Sequence, residues 1–517
     1  MAVKRVLVIA GSDSSGGAGL EADQRVLAAH GCYALTATTG LTAQNTLGVQ
    51  DIFVVPSEFV RKQINAGLED VGADVVKLGM LSSAETIDVI AETLQAHSVP
   101  PIVLDPVMIS TSGAELLPKA AIAKLRTRLL PMTTVLTPNI PEARLLIQDA
   151  GLEVPEPRNL DDLIDLAKRI CSLGPKAVLL KGGHLPLTKD HQTARNSEES
   201  AIVVDVLYDG ETSESTLSQT GYLISKNTHG TGCSLASAIA ANLALGKDMR
   251  RAVRSAVRFV EVGIKTSSDL GRGSGPINHF HSMYTMPFAP GHFLEYILDL
   301  PEVHRTWEKF TKHEFVEGLG QGTLPVERFK EYLVQDYLYL VQFARSNALA
   351  SYKSSDMDSI AASARIVLHI QREMSLHLDY CASFGLSKQE MECHPETIAC
   401  TAYSRYILDV GQSGDWLALQ MALAPCLIGY GAIARRLHAD KNTLREGNQY
   451  WKWIENYVAD DYTEAVRLGS ASDVQALLED HVQKVSPTRL EELIRIFIRA
   501  TELEISFWDM GLSSQKS

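Results

Sequence analysis

The chain has 517 residues, which at roughly 150 per domain means about three domains or two large ones. Apolar residues at 45% and charged residues at 21% are ordinary globular proportions and exclude a mainly disordered chain. The balance of 48 Lys+Arg against 62 Asp+Glu gives a formal net charge of -14, a poor prior for a nucleic-acid binder that still leaves room for a local basic pocket for small phosphates.

The first predicted element is a buried strand, Val6-Leu-Val-Ile-Ala10. It follows two basic residues and so imitates a secretion signal, but it stops at Gly11-Ser12-Asp13, short of the ~7–15 apolar residues of a real one. Four more short apolar runs follow at Val75–Leu78, Ile102–Leu104, Thr134–Leu136 and Ala177–Leu180. They are apolar throughout rather than alternating, as parallel strands covered on both faces are. Each leads into a polar or Gly-rich segment, and in an open α/β sheet ligands bind beyond the carboxyl ends of the strands. Residues 1–283 are therefore expected to form an α/β domain with a mostly parallel sheet, handling a nucleotide or phosphate. A long polar insert, Asp190 to Gln219, reads as either a mobile flap or a plain loop.

All five tryptophans lie beyond position 300, and only three of the 16 tyrosines precede position 280. One shared core would not divide its aromatics in this way, so a second domain is expected at 294–517. The Pro-rich stretch around Met286-Pro-Phe-Ala-Pro-Gly291 is the expected linker, 284–293. Beyond it the strand signal gives way to amphipathic helices such as Val326 to Ala344 and Leu490 to Met510, with loops expected at Gly318–Gly322 and Gly411–Gly414. No stretch is read as approaching the ~20 apolar residues of a membrane span. The 7 cysteines form no CxxC pair, which suggests reduced thiols in a cytoplasmic protein.

The strongest local constellation is Thr228-His-Gly-Thr-Gly-Cys233, running into the small-residue stretch Ser234–Ala244. A Gly-rich turn at a helix start aims successive backbone N–H groups at one anion. With Ala10–Asp23, Leu41-Thr-Ala-Gln-Asn45, Lys77–Leu81, Leu104–Met108, Thr137–Glu142 and Lys181-Gly-Gly-His184, it resembles the hydroxymethylpyrimidine/phosphomethylpyrimidine kinases of the ribokinase superfamily. The resemblance implies that Asp23 and Gln44 hold the polar edge of an aminopyrimidine, with Met80 and Val107 packing on its ring. It implies an anion hole from Gly230, Thr231 and Gly232, Lys181 and Asn139 on the phosphates of ATP, and Asp105 and Glu142 around Mg²⁺. Cys233 stands where many sugar kinases of the superfamily have an Asp base. At a helix N-terminus its pKa would be lowered, so it is either the base or merely a wall of the pocket.

In the helical half, Asp336 and Tyr339 share a helix face, as do Cys426 and Tyr430, and Glu504 sits in the apolar run Leu503–Trp508. Together with Phe315–Pro325, Ala402-Tyr-Ser404 and Lys452–Tyr457, these segments resemble thiaminase II, the TenA-type family. That resemblance implies a haem-oxygenase-like helical bundle in which Cys426 adds to a pyrimidine ring. Glu504 would exchange protons with the ring, and Asp336 would bind the aminopyrimidine edge. Tyr339, Tyr403, Tyr430 and Tyr457 would frame it. The fold resemblance also raises a haem alternative, with His369 or His377 as ligand.

Both halves converge on one metabolite. The second would release the hydroxymethyl aminopyrimidine from thiamin or its breakdown products, and the first would phosphorylate it twice. The expectation is a multifunctional enzyme of thiamin biosynthesis and salvage, acting on small molecules and forming a homo-oligomer. The rival is a pyridoxine or pyridoxal kinase carrying a non-catalytic helical oligomerisation or binding domain.

Overall fold

The computed structural model describes residues 2–97, 100–108, 117–154, 156–458 and 478–513. The chain divides into two compact units, Met1–Met283 and Tyr284–Ser517.

The first unit is a nine-stranded sheet in the order β3-β2-β1-β4-β5-β6-β7-β8-β9. The central strands β1 (Arg5–Asp13), β4 (Val75–Leu78), β5 (Ile102–Leu104), β6 (Val135–Leu136) and β7 (Ala177–Leu180) pair in parallel, and β2 (Tyr33–Asn45) joins β1 in parallel. In β1 the pleat divides the side chains between two cores. Leu7 and Ile9 pack on one face, towards α2 (Ser57–Asp70) and α3 (Ala84–Ala96). Val6, Val8 and Ala10 pack on the other, towards α1 (Gly19–Ala29), α7 (Thr231–Ala244) and α8 (Met249–Lys265). Burying such a side chain is worth about 1.5–3 kcal/mol, which fixes the register of the centre.

The flanks depart from the sequence expectation. The strand β3 (Gly48–Val54) runs antiparallel to β2 at one edge. At the other edge, much of the polar insert is neither flap nor loop. It forms the antiparallel strands β8 (Ile202–Asp209) and β9 (Glu214–Gly221). Strand order reverses between β1 and β4, so the Gly-rich ends of these two strands open a crevice. Between β5 and β7 the chain forms α4 (Lys119–Lys124), α5 (Ile140–Asp149) and α6 (Leu160–Cys171).

Among its described residues the second unit is built of helices joined by turns: α9 (Phe293–Asp299), α10 (Pro301–Thr311), α11 (Glu314–Gln321), α12 (Val326–Lys353), α13 (Met357–Ser383), α14 (Lys388–Cys393), α15 (Ile398–Ser413), α16 (Trp416–Ala439), α17 (Trp451–Val458) and α18 (Pro487–Leu512). Local chemistry sets the ends. Asp415 caps α16 by accepting from the Ala418 amide, Thr397 caps α15, and Ser486 with Pro487 starts α18. Residues expected as loops at 318–321 and 411–413 continue helices, with Gly322 closing α11 in the left-handed region.

The expected linker is shorter than its sequence suggested. Met286 and Phe288 pack on the helical core, and Phe293 begins α9 with its amide donating to the buried Glu479 at 2.8 Å. Among the described residues one helix, α16, is long and apolar enough to cross a membrane, against the sequence expectation, but most of its apolar window is buried inside its own unit. A helix apolar on all sides is the expected centre of such a core.

Candidate active sites

In the first unit the anion turn forms as its residue types require. Gly230 precedes α7 at φ +77°, and a Cβ there would lie 1.9 Å from the Gly17 carbonyl oxygen. No residue with a side chain fits. A Cβ on Gly232 would meet Lys181 Nζ at 3.2 Å and Asp105 at 3.4 Å, so this glycine lets the lysine reach the turn. Thr231 bonds back to the Thr228 carbonyl through its hydroxyl at 3.1 Å. The first amides of α7 have no helical acceptor and face the crevice end with the helix dipole.

Lys181 donates to Asp105 at 2.7 Å and lies 3.9 Å from Glu142. Burial pushes the Glu142 carboxyl up to about 7, against the pull of Lys181. Asn139 and Glu142 close on each other as a capping box at the start of α5. The box engages the carbonyl oxygen of Asn139 and leaves its amide nitrogen for a ligand. Asp205, on β8, accepts the Gly182 amide at 2.8 Å, and burial raises its pKa to about 6.

Two expected residues sit in surroundings the sequence did not suggest. Asp23 is fully buried, with both oxygens on Lys77 Nζ at 2.8 and 2.9 Å and one accepting from Ser237. It anchors a buried ion pair. Cys233 is at the helix start, but burial outweighs the dipole and the nearby Lys77 and pushes its thiol up to about 11. The expected lowering is reversed. Met80 is buried, with its Cε filling the space beside Gly11 and Gly40 at the strand switch. Val107 is half-buried in the segment after β5.

Sequence reasoning missed Lys77 and the Asp13–His229 pair. Asp13 Oδ2 lies 2.7 Å from His229 Nε2, and Gln44 approaches the same nitrogen at 3.2 Å. Burial opposes ionisation of Asp13, but hydrogen bonds from His229 and Ser15 hold it at about 2. A charge inside the apolar run Val75-Val-Lys-Leu78 was the available signal for Lys77.

In the second unit five helices bring the expected residues together. Tyr403 on α15 donates to Glu504 on α18 at 2.7 Å, and Tyr430 on α16 reaches the other carboxyl oxygen at 3.4 Å. Tyr339 on α12 stacks on Tyr403 with centroids 4.9 Å apart and planes 14° from parallel. Tyr457 packs on Tyr430 at 5.5 Å, and Trp508 at 5.4 Å completes the aromatic wall. Tyr332, one turn before Asp336, joins them and was not foreseen.

Burial raises the Glu504 carboxyl to about 8, with Asp336 adding to the rise and Tyr403 opposing it, so it is protonated at neutral pH. Cys426, half-buried on α16, is pushed well above the usual thiol range by burial and by Glu504. Asp336 is buried on α12 and acts electrostatically on both. His369 lies on α13, and the side chain of His377 is outside the described residues. The result is a polar floor of thiol and carboxyls under stacked aromatic walls, suited to a flat heterocycle with ring nitrogens.

Residues 13–278 match the family described as phosphomethylpyrimidine kinase, and residues 300–514 match the TENA/THI-4/PQQC family. A Schizosaccharomyces pombe protein that carries the name hydroxymethylpyrimidine/phosphomethylpyrimidine kinase 2 is 42% identical over 97% of this chain and 90% of its own. Hydroxymethylpyrimidine/phosphomethylpyrimidine kinase THI20 of Saccharomyces cerevisiae is 33% identical over 98% of this chain and 95% of its own. Among solved structures, the phosphomethylpyrimidine kinase of Clostridium difficile is 36% identical and aligns with 50% of this chain and 99% of its own, at a TM-score of 0.42.

Proposed function

Because the chain belongs to the family that fuses a hydroxymethylpyrimidine/phosphomethylpyrimidine kinase to a TENA/THI-4 unit, we propose that its two sites process one aminopyrimidine in sequence. The helical unit is a thiaminase II that releases the aminopyrimidine alcohol from thiamin or a degraded form. The α/β unit is a kinase that uses ATP to phosphorylate that alcohol and then its monophosphate. The observation that carries this reading is the presence in one chain of a phosphate turn and a thiol–carboxyl box walled by tyrosines.

In the kinase, the first amides of α7 and the Lys181 ammonium neutralise charge on the transferred phosphoryl group. Phosphoryl transfer asks mostly for such positioning and electrostatics. Magnesium fits as a phosphate-borne ion. No group of three or more acidic, His or Cys side chains converges among the described residues, whereas Asp105 and Glu142 border the Lys181 end of the turn. Those two carboxylates would hold the ion mainly through water, and when bound it supplies charge neutralisation on the phosphates. With its thiol at about 11, Cys233 is protonated in nearly every molecule at pH 7, so it takes the alcohol's proton only in the small thiolate fraction, which grows about tenfold per pH unit.

In the thiaminase, the Cys426 sulfur adds to the pyrimidine ring as protonated Glu504 delivers its proton to a ring nitrogen. Asp336 accepts the thiol proton. Covalent addition divides a difficult displacement into two easier steps. Once the leaving group departs, water adds at the exocyclic carbon and gives its proton to the Glu504 carboxylate. The Cys426 sulfur then leaves and takes back the proton held on Asp336, and the ring nitrogen releases its proton to solvent, restoring the ring. Two variants separate the halves. Cys426→Ala is expected to lose thiamin cleavage while still phosphorylating added aminopyrimidine alcohol, and Lys181→Ala the reverse. Undiminished cleavage by Cys426→Ala would overturn the thiaminase mechanism.

A further inference from the structure

Asp13, His229 and Gln44 form a chain of contacts at the crevice of the first unit. Asp13 Oδ2 and the end of the Gln44 amide both approach His229 Nε2, at 2.7 and 3.2 Å. A single imidazole nitrogen donates or accepts, never both. Asp13 also accepts from the Ser15 amide, the Ser15 hydroxyl and the Ala18 amide, a set of donors that suits only an ionised carboxylate. The hydrogen therefore sits on Nε2, where it faces Asp13 and, as the longer arm of a forked bond, the end of the Gln44 amide. An amide NH₂ cannot face that N–H, but a half-turn about the Gln44 Cγ–Cδ bond exchanges its nitrogen and oxygen and brings the carbonyl oxygen there.

The same half-turn settles a second conflict. Thr42 Oγ1 has one hydrogen, yet it lies 3.0 Å from the Ser12 carbonyl oxygen and 3.2 Å from the other terminal atom of the Gln44 amide. With the amide turned, Thr42 donates to Ser12 and accepts from the Gln44 nitrogen, so every donor in the chain has an acceptor. The arrangement is held from both ends. Ser14 and Gln44 exchange hydrogen bonds through the Ser14 hydroxyl at 2.8 and 2.9 Å. The His229 ring lies so close to Gly17 that a Cβ there would be 2.5 Å from its Cδ2.

We infer that His229, oriented by Asp13, is a positioning residue that fixes which end of the Gln44 amide each edge atom of the substrate meets. Gln44 then offers one remaining N–H and one remaining lone pair in a set order. That order suits a heterocycle with an amino group beside a ring nitrogen, and disfavours one with a hydroxyl in the amino group's place. The inference rests on the kinase reading above.

The test measures kcat and KM for the aminopyrimidine alcohol and for pyridoxine, in the full chain with ATP and Mg²⁺. His229→Ala is expected to raise KM for the aminopyrimidine about tenfold, the worth of one hydrogen bond, with kcat within about twofold. Its preference over pyridoxine should fall by a similar factor. His229→Gln keeps an N–H near the Nε2 position and should keep most of the preference. In a Gln44→Leu background, His229→Ala should have no further effect, because it acts through the amide. An unchanged preference in His229→Ala, or an equal loss in both backgrounds, overturns the inference while leaving the kinase reading intact. Wild-type protein that phosphorylates neither alcohol overturns both.

Discussion

Glu504 shows how one residue can be costly to the fold and necessary to the chemistry. Its carboxyl is held at about 8 against an ordinary 4.5, so between these values the folded chain keeps a proton that the unfolded chain releases. Stability attributable to this group therefore falls as pH rises from about 4.5 to 8 and is level above that. At about 1.4 kcal/mol per pH unit the cost reaches roughly 5 kcal/mol. Glu504→Gln is expected to melt at a higher temperature than wild type in the helical unit's transition, by a margin that widens from pH 5 to pH 8. It should also lose about 10²-fold or more of thiamin cleavage. Equal melting temperatures across that range would contradict the buried, protonated carboxyl. Cys233 gives a second test at this scale. With its thiol at about 11, the kinase rate should rise close to tenfold per pH unit between pH 7 and 9, and Cys233→Ala should abolish that slope. A slope that survives the substitution would place the proton acceptor elsewhere.

At the scale of elements, the central strands were legible and the edges were not, for a single physical reason. Val6–Ala10, Val75–Leu78 and Ala177–Leu180 are covered on both faces, so each must be apolar along its whole length. Strand β9, Glu-Ser-Thr-Leu-Ser-Gln-Thr-Gly, sits at a sheet edge half in solvent, so its sequence carries no apolar run and read as loop. The Gly-rich turn was legible because the close approach of the Gly17 backbone requires a glycine at 230, and Gly232 leaves room for the Lys181 ammonium. The pairing of Asp23 with Lys77 was not legible because Lys77 lies 54 residues away on β4, a distance that local spacing does not encode. The Asp23–Lys77 pair is fully buried, and breaking such a pair strands a charge. Lys77→Met is expected to destabilise the first unit by about 3–5 kcal/mol, and Lys77→Met with Asp23→Leu by clearly less. Chemical denaturation of the two variants measures this. Additive losses would show that the pair is not coupled.

For the whole molecule, the two units solve different problems with different materials. A parallel sheet presents glycine turns and backbone amides to a phosphate, and a helical bundle presents tyrosines, a thiol and carboxyls to a ring. The aromatic asymmetry of the sequence, with every tryptophan beyond position 300, is the imprint of that division. The residues of the helical site were legible one by one as helix-face pairs, but their convergence was not. Four helices far apart in sequence meet at Glu504, and only the fold brings Tyr403 to its carboxyl. The central claim is that one aminopyrimidine passes through both sites. It is tested most directly by incubating the purified chain with thiamin, ATP and Mg²⁺ and following pyrimidine products by mass over time. The account predicts the free aminopyrimidine alcohol first, then its monophosphate, then its diphosphate. Phosphorylation of added alcohol with thiamin left intact would contradict it.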